Sequence, residues 1–276
     1  MPVKPDTLKL ALCQLRTELE LSETLKKAED MVRRAALNGA QIVVLPEMFS
    51  CPYSGRYFHS FAAQGHEPIL AALSAWAKAN GVLLVGGSIP ETAEGKLYNS
   101  SFVFGPDGRQ LARHRKVHLF DVDIPGMRFK ESHTFAAGGE VTVFDSPFGR
   151  FGLAVCFDLR FPELFRAMAE RGAQAVFLPA QFNQKTGPVA WELLLRARAA
   201  DNQLFVAGCA AARYEGFDYE CWGHSTVADP FGRVLASCDE TEQILFAELD
   251  MALVSQARQQ IPTLSALRED LYPVAK

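Results

Sequence analysis

Three short segments place a reactive side chain at the end of an expected strand. Glu47 follows Gln41–Leu45 and Pro46, Lys116 closes the stretch Gln110–Lys116, and Cys156 follows Phe151–Val155. A carboxylate, an ammonium and a thiol make a coherent set. A free thiol is mostly protonated near neutral pH and needs activation. A nearby ammonium favours the thiolate, and a carboxylate can take the proton. Such a cysteine attacks an amide or nitrile carbon, while the lysine and a backbone N–H stabilise the developing oxyanion. The carboxylate then protonates departing ammonia and activates water.

Each residue also has a plain structural reading. Glu47 would cap the segment that follows it, Lys116 would be a solvated cation beside Arg113 and Arg115, and Cys156 would be a small buried apolar side chain. Taken singly, the structural reading is the stronger one for Glu47 and Lys116. The passage from strand to helix at Cys156 brings the two readings level there. Spacing alone does not bring the three together.

The elements that must position these residues follow from pattern. Leu8–Leu15, Gln41–Leu45, Val82–Val85 and Phe151–Val155 are short apolar runs of the buried-strand type, as are Ala175–Leu178 and Leu204–Ala210. Helical spacing predicts helices over Leu21–Leu37, Ile69–Ala79, Phe161–Ala169, Ala190–Ala200 and Met251–Gln259. The first two are stopped by Asn38-Gly39 and Asn80-Gly81. Strands are also expected at 99–104, 110–116, 141–144, 226–228, 234–236 and 243–249, with turns at Gly105–Gly108 and Gly138-Gly139. Interleaved helices and buried strands argue for a layered α/β fold. No linker or repeat divides the chain, so residues 1–276 are expected to form a single domain. In open α/β sheets ligands gather at the carboxyl ends of strands, where Glu47, Lys116 and Cys156 are expected to fall.

Composition excludes several classes of function. A formal net charge of -4 gives no long-range pull on phosphates, which argues against nucleic acid. No apolar stretch is long enough to span a membrane, and Gln14 interrupts the short run near the start, so a cytoplasmic protein is expected. The six cysteines are scattered without a Cys-x-x-Cys pair or zinc-like spacing, so neither disulfides nor a metal site is expected.

The three segments resemble the signature blocks of the carbon–nitrogen hydrolase (nitrilase-like) family: Leu45-Pro46-Glu47-Met48-Phe49, then Arg115–Asp121 (RKVHLFD), then Cys156–Glu163 (CFDLRFPE), in the family order. The resemblance runs nearly the whole chain. It implies an α-β-β-α sandwich, a Glu47–Lys116–Cys156 triad, and an oxyanion site made by Lys116 and the backbone N–H of Phe157. A second glutamate after the lysine block corresponds to Glu131, which would hold the lysine and help position substrate. The resemblance also implies a small-molecule amide substrate, pairing of two sandwiches into a homodimer or a higher homo-oligomer, and no metal or organic cofactor.

Later segments are similar to the Nit subgroup: Gln181-Phe182-Asn183 with Thr186-Gly187-Pro188, and Trp222–Thr226. Within it the chain looks closest to omega-amidases, through Phe182-Asn183, Asp201-Asn202-Gln203 and Trp222. That implies hydrolysis of 2-oxoglutaramate or 2-oxosuccinamate to the dicarboxylate and ammonia through a thioester. Ala180-Gln181 stands where that branch would carry Gly-Ala. The substrate carboxylate needs a cation, and Arg160 is a candidate. An ion pair of Arg160 with Asp158 or Glu163 is the slightly stronger alternative. Phe120, Phe182 and Trp222 either wall the pocket or fill the core. His118 is expected to make a structural hydrogen bond. Rival readings keep the triad but change the substrate to deaminated glutathione or to an N-carbamoyl or ureide compound. Further off stand a thiol redox protein, which needs a resolving cysteine, and a catalytically dead interaction module.

Overall fold

The computed structural model describes residues 6–214, 219–268 and 270–271. The chain opens with β1 (Thr7–Gln14), α1 (Leu21–Leu37), β2 (Ile42–Val44), α2 (Gly55–Ala62), α3 (Glu67–Asn80) and β3 (Leu83–Val85). Strands β4 (Ile89–Ala93), β5 (Lys96–Phe104) and β6 (Gln110–Arg115) follow, then a small hairpin of β7 (Asp121–Ile124) and β8 (Met127–Lys130). The second half runs β9 (Thr142–Ser146), β10 (Gly149–Leu153), α4 (Pro162–Glu170), β11 (Ala175–Ala180), α5 (Gly187–Asn202) and β12 (Phe205–Ala210). It closes with β13 (Thr226–Ala228), β14 (Val234–Ser237), β15 (Gln243–Asp250) and α6 (Ala252–Gln260).

Two sheets result. The first has the order β15-β1-β2-β3-β5-β4, with β6 also paired to β5; the second has the order β14-β13-β12-β11-β10-β9. Each contains a parallel trio, β1-β2-β3 and β10-β11-β12, flanked by antiparallel strands. Parallel neighbours need crossovers, and α1, α3, α4 and α5 supply them. Because a strand alternates its side chains, β1 sends Leu8, Leu10 and Leu12 toward the second sheet and Ala11 and Cys13 toward α1 and α3. Phe151, Leu153, Phe177 and Phe205 answer from the facing sheet. On the outer side, α4 and α5 pack Leu164, Phe165, Met168, Trp191 and Leu195 against that sheet. The layers are therefore helix, sheet, sheet, helix, an α-β-β-α sandwich. Both faces of the central strands are apolar, which is why they read as continuous hydrophobic runs. Burying one such leucine or phenylalanine stabilises by about 1.5–3 kcal/mol.

The expected elements recur with boundaries moved by a few residues. Expected strand 151–155 is β10 and ends at Leu153, which leaves Val155 free to enter a tight turn. Helix α2, strand β4 and the β7–β8 hairpin are additions. Residues 55–62 follow a Pro- and Ser-containing stretch and begin with Gly55, and the hairpin alternates charged with apolar residues, so neither carries a strong apolar signal.

Gly87 shows how closely the site-bearing loops are fitted. It sits at φ +59°, and a Cβ there would lie 2.2 Å from the Pro46 carbonyl oxygen. That close approach lets Ser88 receive the Glu47 loop: the Ser88 N–H donates to the Pro46 carbonyl at 3.2 Å, and the Met48 N–H donates to Ser88 Oγ at 3.0 Å. Gly87→Ala is expected to destabilise by about 2 kcal/mol or more, from positive φ and overpacking together. A denaturant midpoint matching the wild type would remove Gly87 from this role.

Candidate active site

Glu47 lies just past β2, Lys116 just past β6, and Cys156 just past β10. The structure brings them together. Lys116 is fully buried, with Nζ 2.9 Å from Glu47 Oε1 and 2.8 Å from Glu131 Oε2. The solvated-cation reading of Lys116 is therefore set aside. Glu131 opens a short helical turn after β8; its Oε2 also accepts from the Phe120 N–H at 2.7 Å. Asn99, which the sequence reading passed over, donates from Nδ2 to Glu47 Oε1 at 2.8 Å and to Glu131 Oε1 at 3.0 Å. The buried polar run Asn99-Ser100-Ser101 within β5 is the signal that could have found it.

Burial works against the Lys116 ammonium, yet the charges of Glu131 and Glu47 outweigh it and hold its pKa above the ordinary lysine value. For Glu47, burial raises the carboxyl above the usual range; Lys116 opposes the shift and the Glu131 charge adds to it. Burial, then the Glu47 charge, also pushes the Cys156 thiol well above its ordinary value, against the pull of Lys116 and the Gln181 backbone N–H. The resting thiol is therefore protonated. The Lys116 charge does favour the thiolate, but burial and the Glu47 charge outweigh it, so the thiol needs a base to take its proton.

Cys156 occupies the left-handed region at φ +48°, rare for a residue with a side chain. A helical turn, Cys156–Arg160, starts there, so the Phe157 N–H is one of the first-turn donors without an intrahelical partner. Buried Asp158 fixes the turn. Its Oδ2 accepts from the Val155 N–H at 3.0 Å and lies 3.0 Å from His114 Nε2; its Oδ1 accepts from the His118 N–H at 3.0 Å and lies 2.8 Å from His118 Nδ1. His114 and His118 straddle Lys116 in sequence, so one carboxylate ties the lysine segment to the cysteine turn. His118 makes the structural bond expected of it and stacks on Phe161 with centroids 3.5 Å apart.

Asp158 is thereby unavailable to Arg160, and no ion pair of Arg160 with Asp158 or Glu163 is present among the described residues. The Arg160 guanidinium instead lies 5.8 Å from the Phe157 ring centroid and 5.7 Å from that of Phe182. A small cavity above the thiol is lined by Phe120, Cys156, Phe157, Gln181, Phe182, Thr186 and Tyr219. Its volume is about 10 Å³, room for roughly one water. Trp222 is not in that wall, contrary to one expectation. It stacks on His224 and lies over Gly187, where a Cβ would come within 2.3 Å of its ring. A much larger depression of about 640 Å³ beside α2 holds none of the three reactive residues.

The fold and this constellation are those of a hydrolase acting on carbon–nitrogen bonds. The chain matches the carbon–nitrogen hydrolase family over residues 9–259 and belongs to it. It is 47% identical over 269 residues to omega-amidase NIT2 of Mus musculus, covering 97% of this chain and 98% of that protein. It is also 47% identical over 267 residues to hydrolase C26A3.11 of Schizosaccharomyces pombe, covering 96% of this chain and 83% of that one. Among solved structures, Saccharomyces cerevisiae Nit3, a member of branch 10 of the nitrilase superfamily, superposes with a TM-score of 0.86 at 38% identity, covering 93% of this chain and 94% of Nit3. The C. elegans NitFhit protein gives 0.91 at 33% identity, covering 98% of this chain and 67% of that one.

The Asp158 bonds have a thermodynamic signature. Burial opposes its charge, but the hydrogen bonds from His114 and His118 outweigh it and hold the carboxyl well below the usual range. A carboxyl lowered on folding contributes stability that is complete above its unfolded pKa, about 3.9, and is lost as the pH falls toward the folded value. Asp158→Asn is expected to cost about 3 kcal/mol at neutral pH. The gap to wild type in urea midpoint should close as the pH is lowered through that window; a gap independent of pH would dissociate Asp158 from the effect.

Proposed function

We propose that this protein is an omega-amidase that cleaves the terminal amide of 2-oxosuccinamate or 2-oxoglutaramate, with Cys156 as nucleophile, Glu47 as general base and acid, and Lys116 as the oxyanion's cation. The observation that carries this reading is the buried Glu47–Lys116–Glu131 cluster set against the Cys156 turn. As Cys156 Sγ attacks the amide carbon, the thiol proton passes to Glu47 and the carbonyl electron pair moves onto oxygen. Lys116 Nζ and the Phe157 N–H hold that oxyanion. Glu47 returns the proton to the departing nitrogen, ammonia leaves, and a thioester remains. Water then gives a proton to Glu47 as its oxygen attacks the thioester, Glu47 passes that proton to the departing sulfur, and the released acid ionises to the dicarboxylate. Glu131 and Asn99 keep Lys116 and Glu47 in register throughout.

Arg160 is the cation for the substrate carboxylate in this proposal. Its freedom from an acidic partner among the described residues, and its place between the Phe157 and Phe182 rings, support that role. We further propose that residues 1–276 act as one domain, since both sheets share one core, and that the protein is a cytoplasmic homodimer. Its six cysteines are all unpaired, and Val189 and Leu193, one turn apart on α5, present exposed apolar surface. Among the described residues no helix is long and apolar enough to cross a membrane.

Ammonia release from the two keto-acid amides tests the core of the proposal. Cys156→Ala and Cys156→Ser are expected to abolish turnover while melting as folded proteins, and full activity in either would sink the mechanism. Because Glu47 must accept a proton, the acid limb of kcat should lie above the ordinary glutamate pKa of about 4.3. Arg160→Met is expected to raise KM for the keto-acid amides by about tenfold or more while sparing neutral amides such as propionamide. An equal loss on both kinds of substrate would move the carboxylate site elsewhere.

A further inference from the structure

Gln181 follows the end of β11 and forms part of the wall above the Cys156 thiol. It is 1% exposed, and both ends of its side-chain amide are committed. Nε2 donates to the Glu47 backbone carbonyl at 2.6 Å, and Oε1 accepts from Cys221 Sγ at 3.3 Å. Its own backbone carbonyl receives the Tyr219 hydroxyl. Cys221 is buried and is held by an isolated bridge to Asn183, so it is a fixed anchor. Swinging Gln181 out of the pocket would break both side-chain bonds and leave the Glu47 carbonyl unsatisfied in the interior.

The rest of the wall has little more freedom. Phe120 and Phe157 meet edge to face at 5.2 Å, Phe182 packs on Trp191 at 5.0 Å, and Tyr219 packs on Tyr53 at 4.7 Å. These aromatic side chains are held by bulky neighbours, whereas Gln181 is a long polar side chain held by two hydrogen bonds. Thr186, the other polar wall residue, is short and donates its hydroxyl to Asn183, so around a cavity of about 10 Å³ Gln181 is the long side chain that can be trimmed without dismantling an aromatic contact.

We infer that Gln181 is a specificity-determining residue that limits the length of the acyl chain between the reacting carbonyl and the substrate carboxylate. It favours 2-oxosuccinamate over 2-oxoglutaramate, which is longer by a methylene. The inference rests on the omega-amidase reading for its substrates, but its length effect applies to any unbranched primary amide that reaches the thiol. A single methylene in a confined pocket discriminates by about 10–200-fold, so the effect is measurable.

The experiment measures kcat/KM by ammonia release for 2-oxosuccinamate and 2-oxoglutaramate, and for propionamide and butyramide, with wild type, Gln181→Ala and Cys221→Ala. Wild type should prefer the shorter member of each pair. Gln181→Ala should raise the long-to-short ratio by about tenfold, chiefly through KM, and Cys221→Ala, which removes one anchor, should raise it less. If Gln181→Ala fails to fold, Cys221→Ala decides by the same ratio. Ratios unchanged within about twofold in the folded variants, or a wild type that prefers the longer member, overturn the inference. Turnover of the simple amides alone, with their ratio shifted by Gln181→Ala, would defeat the omega-amidase reading and leave the role of Gln181 standing.

Discussion

A lysine ammonium with no access to solvent is costly unless its charge is met and its donors are used. Lys116 meets that condition through Glu47 and Glu131, and Asn99 bridges the same two carboxylates. Removing one partner from a buried ion cluster typically costs about 3–5 kcal/mol, because the remaining charge is left uncompensated. The cluster is therefore a constraint on the whole first sheet. Glu47 arrives from the end of β2, Lys116 from the end of β6, Asn99 from the middle of β5 and Glu131 from the turn after β8. No local segment could assemble these groups alone, so the sheet order and the registers of β5 with β6 are conditions for a charged lysine in that position.

The second sheet contributes the thiol, and the joint between the sheets is electrostatic as well as apolar. Asp158 reaches from the cysteine turn to His114 and His118, on either side of the lysine. Arg198 on α5 donates to the Leu159 carbonyl at 3.0 Å and to the Arg160 carbonyl at 3.3 Å, closing the turn from behind. This over-determination explains how Cys156 is kept in the left-handed region, since such strain persists only where surrounding contacts outweigh it. Met48, next to Glu47, adopts φ +47°, and the Ser88 hydroxyl holds it there. Both reactive ends thus turn sharply out of their sheets in the same way.

Much of this was legible in the sequence because buried strands advertise themselves. Leu8–Leu15, Gln41–Leu45 and Phe151–Val155 are apolar on both faces, and Glu47 and Cys156 follow such runs where strands end, whereas Lys116 follows the more polar strand β6. The contribution of Asn99 was less legible, because a polar run within a strand does not show which partners it meets across 32 and 52 residues of chain. Gly87 was equally silent, and the turn read at Gly138-Gly139 gave no hint of what it packs against. Gly138 lets its backbone approach Arg115 so closely that a Cβ would sit 2.1 Å from the carbonyl oxygen, a fact of tertiary distance alone. Trp222 misled for the opposite reason: a large aromatic near pocket residues in sequence packs on the start of α5 instead.

The charge balance also dictates the order of events in the proposed chemistry. Glu47 and Glu131 together outnumber Lys116, so a third negative charge on Cys156 would be unfavourable in the resting site. The thiol must therefore lose its proton as it attacks, when the new negative charge forms on the substrate oxygen rather than on sulfur. At that moment Lys116 gains an anion to stabilise and Glu47 gains a proton, which relieves the excess of carboxylate charge. The same imbalance that keeps the resting thiol protonated thus favours the tetrahedral state, in keeping with stabilisation directed at the charge that develops rather than at the ground state.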